Sequence, residues 1–303
     1  MPSPKLSIQT TTLWEYSSQH YGNTEQGSSS YRGATPSYVI WNLLQRYTKK
    51  KDLVVDPFCG SGTTVDVARD LGRRGLGYDL QPHHSGVFKA DARSLPLEDG
   101  KADFVFMDPP YGDNLTYSGS PDCIGELAAT DPAYFEAFEE VFAEIDRILK
   151  PGRYMAVYVC DVWKSQAFVP IAAILSNMLA QRFLPVDHIA VVRGNKDLEK
   201  GNYHKAAEEE NFFLRGFNHL LIFKKPEAGE VRRVKVQEKT ERRGGNDDGD
   251  RGRGRGDGRS GGRGHGDGGA GDRGRDGGVW GGQGRSGGGQ GNRGRNRNRP
   301  GRN

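Results

Sequence analysis

From Leu53 onward the chain alternates short apolar runs with longer amphipathic stretches, the rhythm of a parallel sheet whose strands are joined by crossover helices. The apolar runs predict strands over Leu53 to Asp56, Gly75 to Asp79, Gly86 to Ala90, Phe104 to Asp108, Tyr154 to Cys160, Ile189 to Arg193 and His219 to Lys224. Helical spacing falls between them, over Thr63 to Leu71, Pro132 to Leu149 and Ser165 to Ala180. The helix from Pro132 is the clearest. Phe135, Phe138, Val141, Phe142, Ile145, Ile148 and Leu149 share one face, acids lie opposite, and Lys150-Pro151-Gly152 marks the stop. This βαβ succession predicts an α/β fold with a doubly wound, seven-stranded sheet that binds its ligand at the carboxyl edge of the strands.

Ahead of the sheet, Tyr38 to Tyr47 reads as a helix with Pro36 just before it. Further upstream Trp14, Tyr16, Tyr21 and Tyr31 sit among Ser, Gly, Gln and Asn, where they either stack on bases or pin a long loop to the core. The other end of the chain differs in kind. Of the 44 glycines 26 follow Glu241, and apolar residues are almost absent there, so that stretch cannot bury enough surface to offset its ordering entropy. The expected organisation is an N-terminal extension over 1–32, one folded domain over 33–226 and a disordered Arg/Gly-rich tail over 227–303.

Charge follows the same division. The net charge is +4, but the tail from Glu241 holds 15 Arg against 8 acidic residues, which leaves the body slightly acidic. The three cysteines, Cys59, Cys123 and Cys160, are spaced for neither a disulfide framework nor a zinc site, which points to a reducing compartment and to no metal. With no signal-peptide pattern and no apolar run of membrane-spanning length, the expectation is a soluble cytoplasmic protein with no membrane partner.

Four strand ends carry candidate chemistry. In Asp56-Pro57-Phe58-Cys59-Gly60-Ser61-Gly62-Thr63-Thr64 a strand ends in an acid, turns through glycines and opens a helix. Gly60 and Gly62 would let backbone approach a ligand, with the helix N-terminus behind them, although a Gly-rich turn alone is also an ordinary tight turn. No Gly-Lys-Ser/Thr follows, so it is not a phosphate loop. Asp79 ends the next strand, where nucleotide-binding sheets place an acid for ribose hydroxyls, and Asp91 ends the one after, within reach of an adenine amino group. Asp108-Pro109-Pro110-Tyr111 follows the apolar strand Phe104 to Met107. Two prolines stiffen this segment and remove two N–H donors, leaving carbonyls as fixed acceptors. Acceptors gripping both N–H bonds of an amino group push its delocalised lone pair toward a methyl donor, and Tyr111 offers a face to an extruded base.

On these motifs, the segment from about Thr12 to Lys225 resembles the DNA methyltransferases that modify adenine N6 or cytosine N4. The resemblance implies a Rossmann-like class I S-adenosylmethionine-dependent fold. It makes Asp56, Phe58, Gly60, Gly62 and Thr63 the cofactor turn, Asp79 and Asp91 the ribose and adenine contacts, and Asp108, Pro109, Pro110 and Tyr111 the catalytic tetrapeptide. Gly33-Ala34-Thr35-Pro36 resembles the segment packing on the methionine end, which adds Thr35 and Pro36. S-adenosyl-L-methionine is the implied cofactor and DNA the implied partner; aspartate at position 108 leans toward adenine as a family habit. Two features depart from the commoner pattern: the cofactor turn precedes the tetrapeptide, and no sizeable target-recognition domain is visible. The same order occurs in transfer-RNA guanine-N2 methyltransferases, whose tetrapeptide often continues with Gly, as Gly112 does here. RNA is therefore an alternative substrate, and the Arg-Gly tail fits RNA through phosphate pairing and stacking. A non-catalytic nucleic-acid-binding protein on the same fold is a further alternative. Recognition is left to the N-terminal aromatics, the loop Gly112 to Thr130, and the stretch Arg193 to Arg215, a polar excursion, lid or base-reading insertion.

Overall fold

The computed structural model describes residues 6–16, 18–28, 31, 33–113, 119–192 and 201–230. The chain divides into two units, Met1–Gln237 and Glu238–Asn303, and every described residue belongs to the first. The disordered tail expected over 227–303 lies outside the described residues, except for 227–230, a turn that Glu230 ties to Lys224.

In chain order the elements are β1 (Leu13–Trp14), α1 (Ser37–Tyr47), β2 (Leu53–Asp56), α2 (Thr63–Asp70), β3 (Arg74–Asp79), β4 (Val87–Lys89) and β5 (Ala102–Met107). There follow α3 (Pro132–Ile148), β6 (Leu149–Val159), β7 (Val162–Lys164), β8 (Ala167–Val169), α4 (Ile171–Leu179), β9 (Leu184–Val192), α5 (Gly201–Glu209) and β10 (Phe217–Lys224). The main sheet runs β1-β9-β10-β6-β5-β2-β3-β4, and β10 lies antiparallel to both of its neighbours while the other pairings are parallel. The seven expected strands are all present, joined at one edge by β1, where Leu13 pairs with Ala190.

Because successive strand residues point to opposite faces, one strand feeds two cores. In β5, Phe104 and Phe106 join Val54, Leu220 and Ile222 beneath α1 and α2, while Val105 and Met107 join Val55, Met155 and Val157 beneath α3 and α4. This is why β5 reads as a continuous apolar run: it is buried on both faces. Helix α3 starts at Pro132 with the Asp131 carboxylate accepting from Ala133 N at 3.0 Å. Its Phe138, Val141, Phe142 and Ile145 are fully buried, each aromatic contributing roughly 2–3 kcal/mol of burial free energy. Of the N-terminal aromatics, Trp14 and Tyr21 lie in the α1-side core and Tyr16 stacks on Tyr38 of α1 at 5.1 Å, so these three pin the segment to the fold, whereas Tyr31 lies against His83 at 5.3 Å and lines the cleft.

Three elements differ from the sequence expectation. The helix expected over Ser165 to Ala180 is instead the β7–β8 hairpin followed by the shorter α4. Pro170 lacks the N–H that a continuous helix needs there, and Ser165 and Gln166 turn the hairpin with φ of 52° and 60°. Strand β6 begins directly at Leu149, not at Tyr154. Of the polar stretch Arg193 to Arg215, the described part contains α5. No helix among the described residues is long and apolar enough to cross a membrane.

Candidate active site

A cleft of about 830 Å³ opens where β2, β5 and β6 end and antiparallel β10 begins. Thr35, Pro36, Asp56, Phe58, Gly60 and Thr63 line it, as do Asp108 and Tyr111. A second chamber of about 60 Å³ is lined by Asp79, Asp91 and Pro110, and it shares Phe58, Asp108 and Tyr31 with the cleft. Of the sequence-derived site residues, Gly62 and Pro109 line neither space. Gly62 serves the turn itself: it is the α2 N-cap at φ 84°, and the His84 ring lies against its Cα. Gly60, at φ 41°, lies under Tyr31, whose ring a Cβ at that position would meet at 2.7 Å.

The strand-end acids are held differently. Asp56 is 3% exposed and accepts from Thr64 Oγ1 at 2.5 Å and Phe58 N at 3.0 Å. Burial pushes its carboxyl up to about 7 against those two donors, with the charges of Asp108 and Asp79 adding to the rise. Asp79 accepts from Gly60 N and from Gln81 N, each at 2.9 Å, and burial raises it as well. A carboxylate has about four acceptor positions, so Asp79 keeps acceptor capacity beside the chamber. Asp91 turns both oxygens to Arg93, with Arg93 Nη2 at 2.6 Å, and Arg93 reaches on to the Asp122 carbonyl at 2.9 Å. Against the cost of burial, these bonds hold Asp91 below the usual carboxylate range.

At the tetrapeptide, Asp108 Oδ2 accepts from Thr35 Oγ1 and Oδ1 from the Tyr111 hydroxyl at 2.6 Å. Tyr111 thus has its hydroxyl on the neighbouring acid while its ring is half-buried at the cleft. The two prolyl carbonyls part ways. Pro110 O accepts from the buried Tyr134 hydroxyl at 2.7 Å, whereas no donor reaches Pro109 O among the described residues. Gly112 follows at φ 73°, where a Cβ would meet Ala129 N at 2.8 Å, so its glycine has a steric reason.

Sequence reasoning missed Asp161, Trp163 and Asn218, which line the cleft together with Arg215, the last residue of the stretch Arg193 to Arg215. Asp161 stands two residues past the end of β6, so the pattern of an acid near a strand end would have found it. Asn218 on β10 is 6% exposed, and its Oδ1 lacks a partner among the described residues. Trp163 stacks on Phe212 at 5.3 Å. Tyr134 was legible only as a helix-face aromatic.

Residues 3–89 match the family model described as DNA methylase. Over that stretch the chain is similar to DNA methylases. It is 33% identical over 66 residues to the Type II methyltransferase M2.LlaDCHI of Lactococcus lactis subsp. cremoris, covering 22% of this chain and 24% of that one. It is 37% identical over 60 residues to M2.DpnII of Streptococcus pneumoniae, covering 20% and 22%. The putative methylase YubD of Escherichia coli K12 is 30% identical over 101 residues, covering 33% and 40%. The chain thus spans about a quarter of the length of the first two curated relatives that it matches. The methylase match takes in the turn from Asp56 to Thr64 and Asp79, and it ends before Asp91 and Asp108 to Tyr111.

Proposed function

We propose that this chain is an S-adenosylmethionine-dependent methyltransferase acting on the exocyclic amino group of a base in DNA, with adenine N6 favoured and cytosine N4 the other target. The observation that carries it is the Asp108 carboxylate at the end of β5, held by Thr35 and Tyr111 beside a cleft that shares Phe58, Asp108 and Tyr31 with an acid-lined chamber. The residues present fit the cofactor: Asp79 would hold ribose hydroxyls, Asp91 the adenine amino group, Phe58 and the Gly60 turn the middle, and Thr35 and Pro36 the methionine end. Bound there, S-adenosylmethionine supplies a methyl group already activated by its sulfonium.

The chain's own work is alignment. Thr35 and Tyr111 fix the Asp108 carboxylate from both sides, and Tyr134 anchors Pro110, so the neighbouring Pro109 carbonyl is a rigid acceptor. At the cleft the Asp108 carboxylate grips the amino group and turns the nitrogen lone pair toward the methyl carbon. No covalent enzyme intermediate is needed; Cys59 is buried, and burial holds its thiol well above the usual range. Gly112 favours RNA less than the sequence alone indicated, since its close packing on Ala129 accounts for it.

The test is transfer of labelled methyl to duplex DNA, single-stranded DNA and total RNA, followed by nucleoside analysis. N6-methyladenine or N4-methylcytosine in DNA supports the reading, and Asp108→Ala is expected to lower turnover at least about 100-fold with cofactor binding kept. Label found only in RNA, or near-native turnover by Asp108→Ala, would overturn it.

A further inference from the structure

Amino methylation has a proton balance that the residues assigned so far leave open. As the N–C bond forms, the S–C bond breaks and its electron pair returns to sulfur; the nitrogen is then left with one proton too many. A neutral methylamino group is restored only when that N–H proton leaves. Both oxygens of Asp108 already hold hydroxyl donors, from Thr35 and Tyr111, and its remaining acceptor positions are committed to gripping the amino group.

A third carboxylate, beside Asp108 and Asp56, lines the same cleft. Asp161 follows β6, and its Oδ1 accepts from Ala172 N in the first turn of α4 at 2.9 Å. Its Oδ2 lies 3.1 Å from Nε2 of His219 on β10. On its other side His219 Nδ1 lies 2.8 Å from Nε2 of His188, an exposed residue on β9. The line therefore runs from the cleft through a part-buried imidazole to the protein surface, and it is built on three sheet strands and a helix start.

We propose that Asp161 takes the proton shed by the target amino group, and that His219, steadied by His188, is the positioning residue that keeps Asp161 ionised and aimed at the cleft. The assignment rests on the amino-methyltransferase reading given above. Asp161 spends one acceptor position on Ala172 and one on His219, which leaves about two for an incoming proton. Burial pushes its carboxyl up, but the His219 hydrogen bond, the Ala172 N–H and the charges of His219 and Arg215 outweigh that and hold it below the usual range. The groups facing this assembly are Arg215 ahead of β10, Asp187 beside His188 on β9, and Asp108 and Asp56 among the residues lining the cleft. An ionised Asp161 becomes a neutral acid on taking the proton and returns it to water once product leaves.

The experiment is single-turnover methyl transfer across pH 5 to 9 for wild type, Asp161→Asn, His219→Leu and His219→Gln, with cofactor affinity and melting temperature measured for each. Asp161→Asn is expected to slow the chemical step about 100-fold and to abolish the acidic limb of the profile. In His219→Leu the burial of Asp161 is opposed only by the Ala172 N–H and the Arg215 charge, so the acidic limb moves up toward neutrality. His219→Gln, whose amide can still donate to Asp161, brings the limb back toward its wild-type position, a rescue that a purely structural role would not show. Transfer by Asp161→Asn within about twofold of wild type, or identical profiles for the two His219 variants, overturns the proposal. Absence of methyl transfer to any nucleic acid by the wild type instead overturns the reading on which it rests.

Discussion

Asp56 is the residue whose surroundings conflict most with its charge. Two hydrogen bonds do not offset full burial, and its carboxyl titrates at about 7. An unfolded chain would ionise it at the ordinary carboxylate value, so between about pH 4 and 7 the folded state binds a proton that the unfolded state has lost. Stability from this group is therefore present at acid pH and lost as pH rises toward 7, by on the order of a few kcal/mol. Asp56→Asn is neutral at every pH. Thermal melts from pH 5 to 8 are expected to show a wild-type decline that the variant flattens; parallel curves would mean that the carboxyl is ionised throughout. At this scale the sequence displayed the acids at strand ends and the glycines of the turn, but not their neighbours. Nothing near Gly60, Gly62 or Gly112 in sequence announces Tyr31, His84 or Ala129 as the groups that require them.

Elements were legible where one rule acted alone. Helix α3 declares itself because its apolar face, its Asp131 cap and its Pro132 start agree. The β7–β8 hairpin did not, since its turn uses Ser165 and Gln166 at positive φ where Gly or Asn would be the usual sign. Strand β1 is two residues long and forms only because β9 offers it an edge. What α3 does for the site also escaped the pattern, because Tyr134 looks like any core aromatic until its hydroxyl is seen on Pro110 O. Tyr134→Phe keeps the ring among Phe135 and Phe138 and leaves a buried carbonyl unpaired. The expected result is a loss of about 1–3 kcal/mol in denaturant unfolding together with a lower kcat at little-changed cofactor affinity. Loss of stability without any change in kcat would show that the tetrapeptide holds its shape without α3.

Over the whole molecule, the order of strands and the carboxyl-edge location of the cleft follow from the βαβ rhythm, whereas the far side of the cleft does not. Asp161 and His219 are 58 residues apart and meet only because antiparallel β10 returns beside β6. The chain's charge is likewise set by its ends. The body is slightly acidic and the segment from Glu241 is strongly basic, so long-range attraction to a polyanion resides in the tail's 15 arginines. For the tail to serve substrate capture, its arginines must release counterions, and affinity must then fall steeply with salt. Removal of Glu238–Asn303 takes away one whole unit of the chain and no residue of the two cores. The truncated protein is expected to melt at the same temperature, to bind nucleic acid more weakly at low salt, and to show a shallower dependence of log K on log salt, by about 0.7–0.9 for each phosphate that the tail would have neutralised. Methyl transfer at saturating substrate should persist, since the described residues that line the cleft all belong to Met1–Gln237. An unchanged salt slope after truncation would assign capture to the folded unit, where Arg215, Trp163 and the β7–β8 hairpin at the rim of the cleft become the surface to alter next.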